Sequence, residues 1–96
     1  MNLKNKIVLI TGGTGSFGQV MVSNLLKQND IKKIIIYSRD EFKQKLMKDK
    51  INSEKVRYFI GDIRDKTRLA IATMNVDLII HAAALKQVDV TEYNPT

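Results

Sequence analysis

The amino-acid sequence predicts an α/β protein with a Rossmann-like parallel sheet. Three observations support this class: short apolar runs recur along the chain, a glycine-rich turn follows the first run, and amphipathic segments separate the runs. Short buried strands that alternate with helices are typical of successive βαβ units, which form parallel sheets. The glycine turn after strand one favours the strand order 3-2-1-4, with a ligand crevice beside strand one.

The predicted elements alternate from the first strand to the fourth. Strands are expected at residues 6–10, 33–37, 55–60 and 76–81, and a third helix at residues 65–73. The other two helices begin near Phe17 and after Glu41, where the apolar runs give way to residues at helical spacing. The apolar sides of these two helices are expected to comprise Phe17, Val20, Met21 and Leu25 in helix one and Phe42, Leu46 and Met47 in helix two.

The predicted strand order leaves the domain incomplete within residues 1–96. The two crossovers that link strands one to three are expected on one face of the sheet, so the third helix must cover the other face alone. Strand four, which is apolar at Val76 and at residues 78–80, would lie at an unpaired edge, and folded proteins usually avoid such an edge. We therefore expect these residues to be the N-terminal part of a larger domain, with another helix beginning near Asn94.

The composition disfavours several classes of protein. Because the chain has no cysteine and one histidine, it offers neither a disulfide nor the ligands of a structural zinc site, and we expect a reducing, cytoplasmic setting. Its apolar runs are too short for a membrane span, and its basic start lacks the features of a signal peptide. The net charge of +6 is concentrated between Lys27 and Arg57. That stretch has few aromatic residues and no nucleic-acid motif, so we expect its lysines to be solvated rather than to bind nucleic acid.

A glycine motif lies between strand one and helix one. Gly12, Gly15 and Gly18 are spaced three residues apart in the segment TGGTGSFG. The first glycine permits the tight turn, the second lets the backbone approach a pyrophosphate at the helix N-terminus, and the third allows close helix–strand packing. A purely structural turn is the alternative, but the context predicts nucleotide binding. A P-loop is disfavoured because Gln19 and Val20 stand where that loop has lysine and a hydroxyl residue.

The end of strand two indicates which dinucleotide binds. An NAD-specific site presents an acidic residue to the ribose 2′-hydroxyl about 20 residues past the glycines. Here Ser38 and Arg39 occupy that point, with Lys43 one helical turn onward, and a hydroxyl with two cations suits a 2′-phosphate. Alternatively, Ser38 and Glu41 form a capping box for helix two while Arg39 faces water. One serine can both cap a helix and contact a phosphate, so the sequence predicts that NADP binds here. We therefore expect residues 1–96 to form the N-terminal part of an NAD(P)-binding Rossmann domain.

Two further segments follow strands at the same edge of the sheet. After strand three, Asp62 is expected to accept a hydrogen bond from adenine and Ile63 to pack against the base, although Asp62 also suits a turn and Asp65 an N-cap. Strand four ends in HAAALK, where three alanines leave room for a cofactor. We expect His81 to be a buried or hydrogen-bonded strand-end residue rather than a general base, and Lys86 to be a cation on the ligand side.

Together, the segments TGGTGSFG, YSRDE, GDIRD and HAAALKQV, followed by EYNP, resemble the extended short-chain dehydrogenase/reductase superfamily. They are most similar to its polysaccharide-biosynthesis branch, which includes the inverting UDP-N-acetylglucosamine 4,6-dehydratases. The resemblance covers essentially the whole chain and implies a Rossmann fold that binds NADP. With Gly12 and Gly18 of the glycine motif, the implied cofactor residues are Thr14, Gly15, Ser16, Phe17, Ser38, Arg39, Asp40, Glu41, Phe42, Lys43, Asp62, Ile63, Ala82 and Lys86.

The resemblance also implies an activity for the full-length protein. Enzymes of that branch oxidise the C4 hydroxyl of the sugar by hydride transfer and eliminate water across C5 and C6. They then return the hydride at C6 with inversion at C5, and their products enter bacterial surface glycans. The expected partners are a UDP-sugar substrate and, at full length, further copies of the same protein.

The superfamily's catalytic Tyr-x-x-x-Lys is absent from these residues. Tyr37 is followed four positions later by Glu41 and Tyr58 by Asp62, and no such position follows Tyr93. We therefore predict no catalytic residue within residues 1–96 and no activity for this chain alone. Two alternatives remain open, a non-catalytic NADP-binding regulatory module and a fragment of a UDP-sugar 4-epimerase.

Overall fold

The sheet predicted from the sequence is present, with one more strand than expected. The computed structural model describes residues 2–12, 14–28, 30–82 and 89–92, with the backbone alone at residues 28 and 89–92. Its elements are β1 (Ile7–Thr11), α1 (Ser16–Gln28), β2 (Lys33–Ser38), α2 (Glu41–Ile51), β3 (Val56–Ile60), α3 (Lys66–Ala72), β4 (Leu78–His81) and β5 (Asp89–Glu92). The strands form one sheet in the order β3-β2-β1-β4-β5. The α/β class and the order 3-2-1-4 of the first four strands are confirmed.

The first four strands pair in parallel, because each helix returns the chain to the same end of the sheet. Leu9 of β1 lies opposite Ile35 of β2 on one side and Ile79 of β4 on the other. Ser38, the last residue of β2, lies opposite Ile60, the last residue of β3. The carboxyl ends of these strands therefore meet at one edge, where open α/β sheets bind their ligands.

Strand side chains alternate between two apolar clusters, one on each face of the sheet. The face covered by α1 and α2 includes Val8, Ile10, Ile34, Ile36 and Ile80 with Val22 and Met47 from the helices. The face covered by α3 includes Leu9, Tyr37 and Ile79 with Ala72 and Val76. The two crossovers between β1 and β3 thus share one face and α3 covers the other, as the right-handed connection rule predicts.

The predicted apolar sides of the first two helices are partly wrong. Phe17 and Val20 of α1 are exposed, and the fully buried side chain of that helix is Val22. In α2, Phe42 and Leu46 are exposed, and the buried side chains are Met47 and Gln44. Both helices carry apolar residues around more of their circumference than the sheet can cover, so the strip that meets the sheet decides which of them are buried.

The expectation of an unpaired edge at strand four is also wrong. The short strand β5 pairs with β4 in the antiparallel direction, with Asp89 opposite His81 and Glu92 opposite Leu78. An antiparallel strand needs only a short connection, so the chain returns along this edge within a few residues. The helix expected near Asn94 lies outside the described residues.

The part of the chain that the structure describes contains neither a membrane-spanning helix nor a cluster of metal ligands. None of its helices combines the length and the apolarity needed to cross a membrane. Its acidic residues and its histidine form no group of three that could hold a metal ion.

Candidate functional site

The glycine turn lies at the carboxyl end of β1 and leads directly into α1. Gly12 has a φ of 66°, a left-handed conformation that glycine adopts without strain, and its N–H donates to the Tyr37 carbonyl oxygen at 3.0 Å. Gln19 holds the turn from α1, because its Nε2 donates to the Thr14 carbonyl oxygen at 3.1 Å. Thr14 and Gly18 are buried, whereas Gly15, Ser16 and Phe17 are exposed. Gly13 lies outside the described residues.

A cavity of about 380 Å³ opens beside this turn. It lies at the carboxyl ends of β1, β2 and β3, where the sequence predicts a nucleotide. Its lining residues include two arginines, one aspartate, two residues with a hydroxyl group and one isoleucine. The lining residues are Gly12, Tyr37, Ser38, Arg39, Gly61, Asp62, Ile63 and Arg64.

The cap of α2 differs from the predicted capping box. Asp40 is the N-cap, and its Oδ1 accepts a hydrogen bond from the Lys43 backbone N–H at 2.9 Å. Ser38 cannot take this role because it still pairs within the sheet as the last residue of β2. Asp40 thus acts on the helix backbone. Glu41, Phe42 and Lys43 are exposed in the first turn of α2.

Asp62 is held between two arginines. It accepts hydrogen bonds of 2.8 Å from the Arg64 backbone N–H and from Arg64 Nη2, and Arg39 Nη1 lies 3.5 Å from Asp62 Oδ2. The hydrogen bonds from Arg64, helped by the positive charges of Arg64 and Arg39, hold the pKa of Asp62 well below its usual range. These contacts stabilise the fold above the carboxyl's unfolded pKa, about 3.9, and are lost only as the pH falls through the lower folded value. Asp62 is therefore an ionised acceptor at neutral pH.

The turn at Asp62 and the N-cap at Asp65 are confirmed. Asp62 Oδ1 accepts from the N–H two residues later, and Asp65 Oδ1 accepts from the Arg68 N–H at 3.1 Å to begin α3. Ile63 is 49% exposed beside Asp62, so its side chain is available to a base. The contact between Asp62 and adenine stays a prediction.

The buried Tyr37 side chain supports the turn at Asp62 through a hydrogen bond to its backbone. Its side chain is fully buried, its ring stacks on Phe59 at 5.7 Å between centroids, and its hydroxyl donates to the Asp62 carbonyl oxygen at 2.9 Å. Burial raises the pKa of Tyr37, with a further contribution from Asp65, so the phenol stays protonated and able to donate. Gly61 makes this contact possible, because a side chain there would overlap the Tyr37 ring and hydroxyl.

Gly61→Ala is expected to destabilise the fold by about 1–3 kcal/mol, the usual cost of overpacking a buried site. The added Cβ would lie 2.6 Å from Tyr37 Cζ, and that ring is held by its stacking on Phe59. Urea denaturation measures the change. Gly15→Ala is the matched control, because a Cβ at Gly15 meets no atom within 4 Å. Equal stability of the two variants would contradict the assignment.

The end of β4 completes the edge of the sheet. His81 Nδ1 shares a hydrogen bond of 3.0 Å with the buried Thr11 Oγ1, which confirms that His81 is a hydrogen-bonded strand-end residue. Ala82 is buried, and its N–H donates to the Thr11 carbonyl oxygen at 2.9 Å. Lys86 and the two alanines after Ala82 lie outside the described residues.

Sequence reasoning missed three contributors to the site: Gln44, Gly61 and Arg64. Gln44 is buried against the end of β2, with its Nε2 2.8 Å from Ser38 Oγ. A signal for it exists, because a polar residue three positions before the buried Met47 falls on the sheet side of α2. Gly61 and Arg64 belong to the segment GDIRD, but the pattern does not reveal their roles, which depend on contacts made in the folded chain.

Comparison with known families bears on this site. Residues 8–96 match the family described as "Polysaccharide biosynthesis protein". The chain belongs to that family. The polysaccharide-biosynthesis resemblance of the sequence is therefore confirmed.

Curated relatives of the family include two kinds of named enzyme. The UDP-N-acetylglucosamine 4,6-dehydratase (inverting) of Campylobacter jejuni subsp. jejuni serotype O:23/36 (strain 81-176) is 59% identical over 90 residues, which are 94% of this chain and 27% of that protein. The UDP-glucose 4-epimerase of Rickettsia bellii (strain OSU 85-389) is 48% identical over 94 residues, covering 95% of this chain and 28% of that protein. The chain thus spans little more than a quarter of the length of these relatives.

Solved structures of similar fold support the same assignment. The X-ray structure of Pen from Bacillus thuringiensis superposes with a TM-score of 0.77 at 38% identity, over 82% of this chain and 24% of that one. A short-chain dehydrogenase/reductase (wide type) from Veillonella parvula DSM 2008, crystallised in complex with NADP, superposes with a TM-score of 0.66 at 25% identity, over 79% and 34%. This chain therefore has the short-chain dehydrogenase/reductase fold.

Proposed function

We propose that this chain forms the NADP-binding part of an enzyme that dehydrates UDP-N-acetylglucosamine at C4 and C6. The observation that carries the proposal is the cavity between the Gly12 turn and the end of β2, lined by the Ser38 hydroxyl and the Arg39 guanidinium. A turn suited to a pyrophosphate lies next to a hydroxyl and a cation suited to a second phosphate. The 59% identity to a UDP-N-acetylglucosamine 4,6-dehydratase supports the choice of reaction.

The glycine turn fits a pyrophosphate. Gly12 adopts its positive φ without strain, and the space beside Gly15 is open to 4 Å. Exposed Ser16 begins α1, so the first N–H groups of that helix remain available to an anion. In this proposal the backbone of residues 14–17 holds the pyrophosphate, and Gly18 lets α1 pack on the sheet.

The end of β2 fits a 2′-phosphate. Arg39 lines the cavity, with 3.5 Å between its Nη1 and Asp62 Oδ2, and Lys43 is exposed in the first turn of α2. The acidic residue nearest in sequence to the end of β2 is Asp40, and its carboxylate already accepts a hydrogen bond as the N-cap of α2. A ribose carrying a 2′-phosphate would thus meet a hydroxyl and two cations, and Arg39 would exchange its contact with Asp62 for the phosphate.

The remaining subsite fits adenine. The Asp62 carboxylate and the exposed Ile63 side chain lie together on the β3–α3 turn, and both residues line the cavity. The dinucleotide would supply a hydride acceptor for the carbon that bears the sugar's C4 hydroxyl, whose proton goes to a base, and would supply the same hydride for its later return. The residues of this chain bind and orient the dinucleotide.

The wider features of the enzyme follow from the same proposal. The substrate is a UDP-sugar, the full-length protein is a homo-oligomer, and the reaction takes place in the cytoplasm. Residues that handle the substrate and the proton, including a Tyr-x-x-x-Lys, belong to the protein outside residues 1–96.

A UDP-sugar 4-epimerase is the second candidate function, favoured by the 48% identity to a UDP-glucose 4-epimerase. Both reactions begin with oxidation at C4, so the cofactor site does not separate them. The products do, because dehydration removes one water from the sugar and epimerisation preserves its mass. A regulatory module that binds NADP without turnover is the third candidate.

The protein at its natural length is expected to convert UDP-N-acetylglucosamine to a product lighter by one water. The chain of residues 1–96 alone is expected to show no turnover, because it has no Tyr-x-x-x-Lys to move the proton that accompanies hydride transfer. Mass spectrometry of the reaction mixture measures both. A product of unchanged mass would support the epimerase, and tight NADP binding without any product would support the regulatory module.

A further inference from the structure

The buried side chain of Gln44 has a role that the glycine motif and the charged residues do not explain. Gln44 lies on the sheet side of α2 and is 4% exposed. Its Nε2 lies 2.8 Å from Ser38 Oγ, 3.2 Å from the Phe59 carbonyl oxygen and 3.4 Å from the Ser38 carbonyl oxygen. One amide therefore contacts the ends of both β2 and β3.

The two carbonyl oxygens fix the orientation of this amide. A carbonyl oxygen only accepts hydrogen bonds, and only the NH₂ end of a glutamine side chain donates them. The opposite orientation would place Gln44 Oε1 against two acceptors at 3.2 and 3.4 Å, which is unfavourable in a buried position. The atom that faces Ser38 Oγ is therefore the nitrogen.

This orientation sets the direction of the Ser38 hydroxyl. Because the amide nitrogen can only donate, Ser38 Oγ must accept from it, and the hydroxyl hydrogen is left to donate elsewhere. Among the residues that the structure describes, the Ser38 hydroxyl donates to none. Ser38 is 8% exposed, and it lines the cavity next to Arg39. The hydroxyl thus offers a donor to whatever occupies the cavity.

We propose that Gln44 is a positioning residue for cofactor selection, which holds the Ser38 hydroxyl as a donor toward the 2′-phosphate of NADP. This inference rests on the proposed function. A phosphate oxygen only accepts, so it requires a donor, whereas the 2′-hydroxyl of NAD can donate or accept and is less sensitive to the direction of its partner. Loss of the Gln44 amide should therefore weaken NADP binding selectively.

The test is a double-mutant cycle on the protein at its natural length, with NADP and NAD titrated separately. Gln44→Met keeps the length of the side chain and removes the donor. We expect it to weaken NADP binding by about tenfold, as does loss of one hydrogen bond to a charged group, and to leave NAD binding unchanged. Ser38→Ala should have a similar effect, and the double variant should bind NADP no more weakly than Ser38→Ala alone.

Gln44→Glu provides a second variant of nearly the same shape. Its carboxylate would accept from the Ser38 hydroxyl and turn the hydrogen away from the cavity, so NADP binding should weaken and NAD binding should persist. The same carboxylate would face the Ser38 and Phe59 carbonyl oxygens, so this variant should also be less stable than Gln44→Met. Thermal denaturation checks that each variant is folded.

Several outcomes would overturn the inference while leaving the proposed function intact. These are equal losses of NADP and NAD binding in the Gln44 variants, full additivity of Gln44→Met with Ser38→Ala, or unchanged NADP affinity. A wild-type protein that binds neither dinucleotide would overturn the proposed function itself, and the inference with it.

Discussion

Gly15→Val is expected to abolish dinucleotide binding while the protein remains folded. The branched side chain would occupy the space between the turn and the pyrophosphate. We expect affinity to fall by at least about a hundredfold, because hydrogen bonds to a charged group contribute about 1.5–3 kcal/mol each and the displaced pyrophosphate would lose more than one. The fold should survive because Gly15 is exposed, lacks the positive φ of Gly12, and has no neighbouring atom within 4 Å of the position that a Cβ would take.

Isothermal titration of the protein at its natural length with NADP measures this loss, and thermal denaturation checks the fold. Gly15→Ala is the graded control, since a single methyl group should weaken binding much less than the branched side chain. If Gly15→Val kept normal NADP affinity, the assignment of this turn to the pyrophosphate would be wrong.

Arg39→Asp is expected to reverse the preference between the two dinucleotides. The wild type should bind NADP more tightly, since Ser38, Arg39 and Lys43 offer a hydroxyl and two cations. The variant would repel the 2′-phosphate and could instead accept a hydrogen bond from the 2′-hydroxyl of NAD. We expect NADP affinity to fall by roughly a hundredfold, because a charge-assisted contact is replaced by repulsion.

The Arg39 substitution should cost little stability. Its side chain is 72% exposed, and its partner Asp62 keeps the closer contact with Arg64, at 2.8 Å. Lys45→Asp, which makes the same change of charge at an exposed position of α2, is the matched control and should leave the preference unchanged. If the wild type bound NAD more tightly than NADP, there would be no NADP preference to reverse, and the prediction would be wrong.

Much of the fold could be predicted because the first four strands are short and mostly apolar, and the turns between them contain glycine or acidic residues. The four parallel strands, their order and the face of the sheet that each helix covers all follow from that pattern and from right-handed crossovers. The antiparallel β5 could not be predicted in this way, since residues 89–92 read DVTE and contain no apolar run. Its place depends on the free edge of β4, which exists only once the sheet has formed.

The site could be predicted less completely, because several of its parts depend on contacts between distant segments. Ser38 and Asp40 are both good capping residues, and pairing of Ser38 with Ile60 of β3 leaves Asp40 as the cap. Burial of Gln44 in preference to Phe42 depends on the Ser38 and Phe59 carbonyl oxygens, which only the folded chain brings together. Local patterns of hydrophobicity contain no information about such partners.

The neighbouring residues Tyr37 and Arg39 differ in how freely they can change during evolution. Tyr37 is fully buried, so most substitutions there would reduce stability, whereas the exposed Arg39 side chain contributes little to folding. Natural proteins tolerate mutations that keep them above a threshold of stability. In the proposed site, substitution of Arg39 would therefore exchange one dinucleotide for the other at little cost in stability, while the core around Tyr37 stays the same.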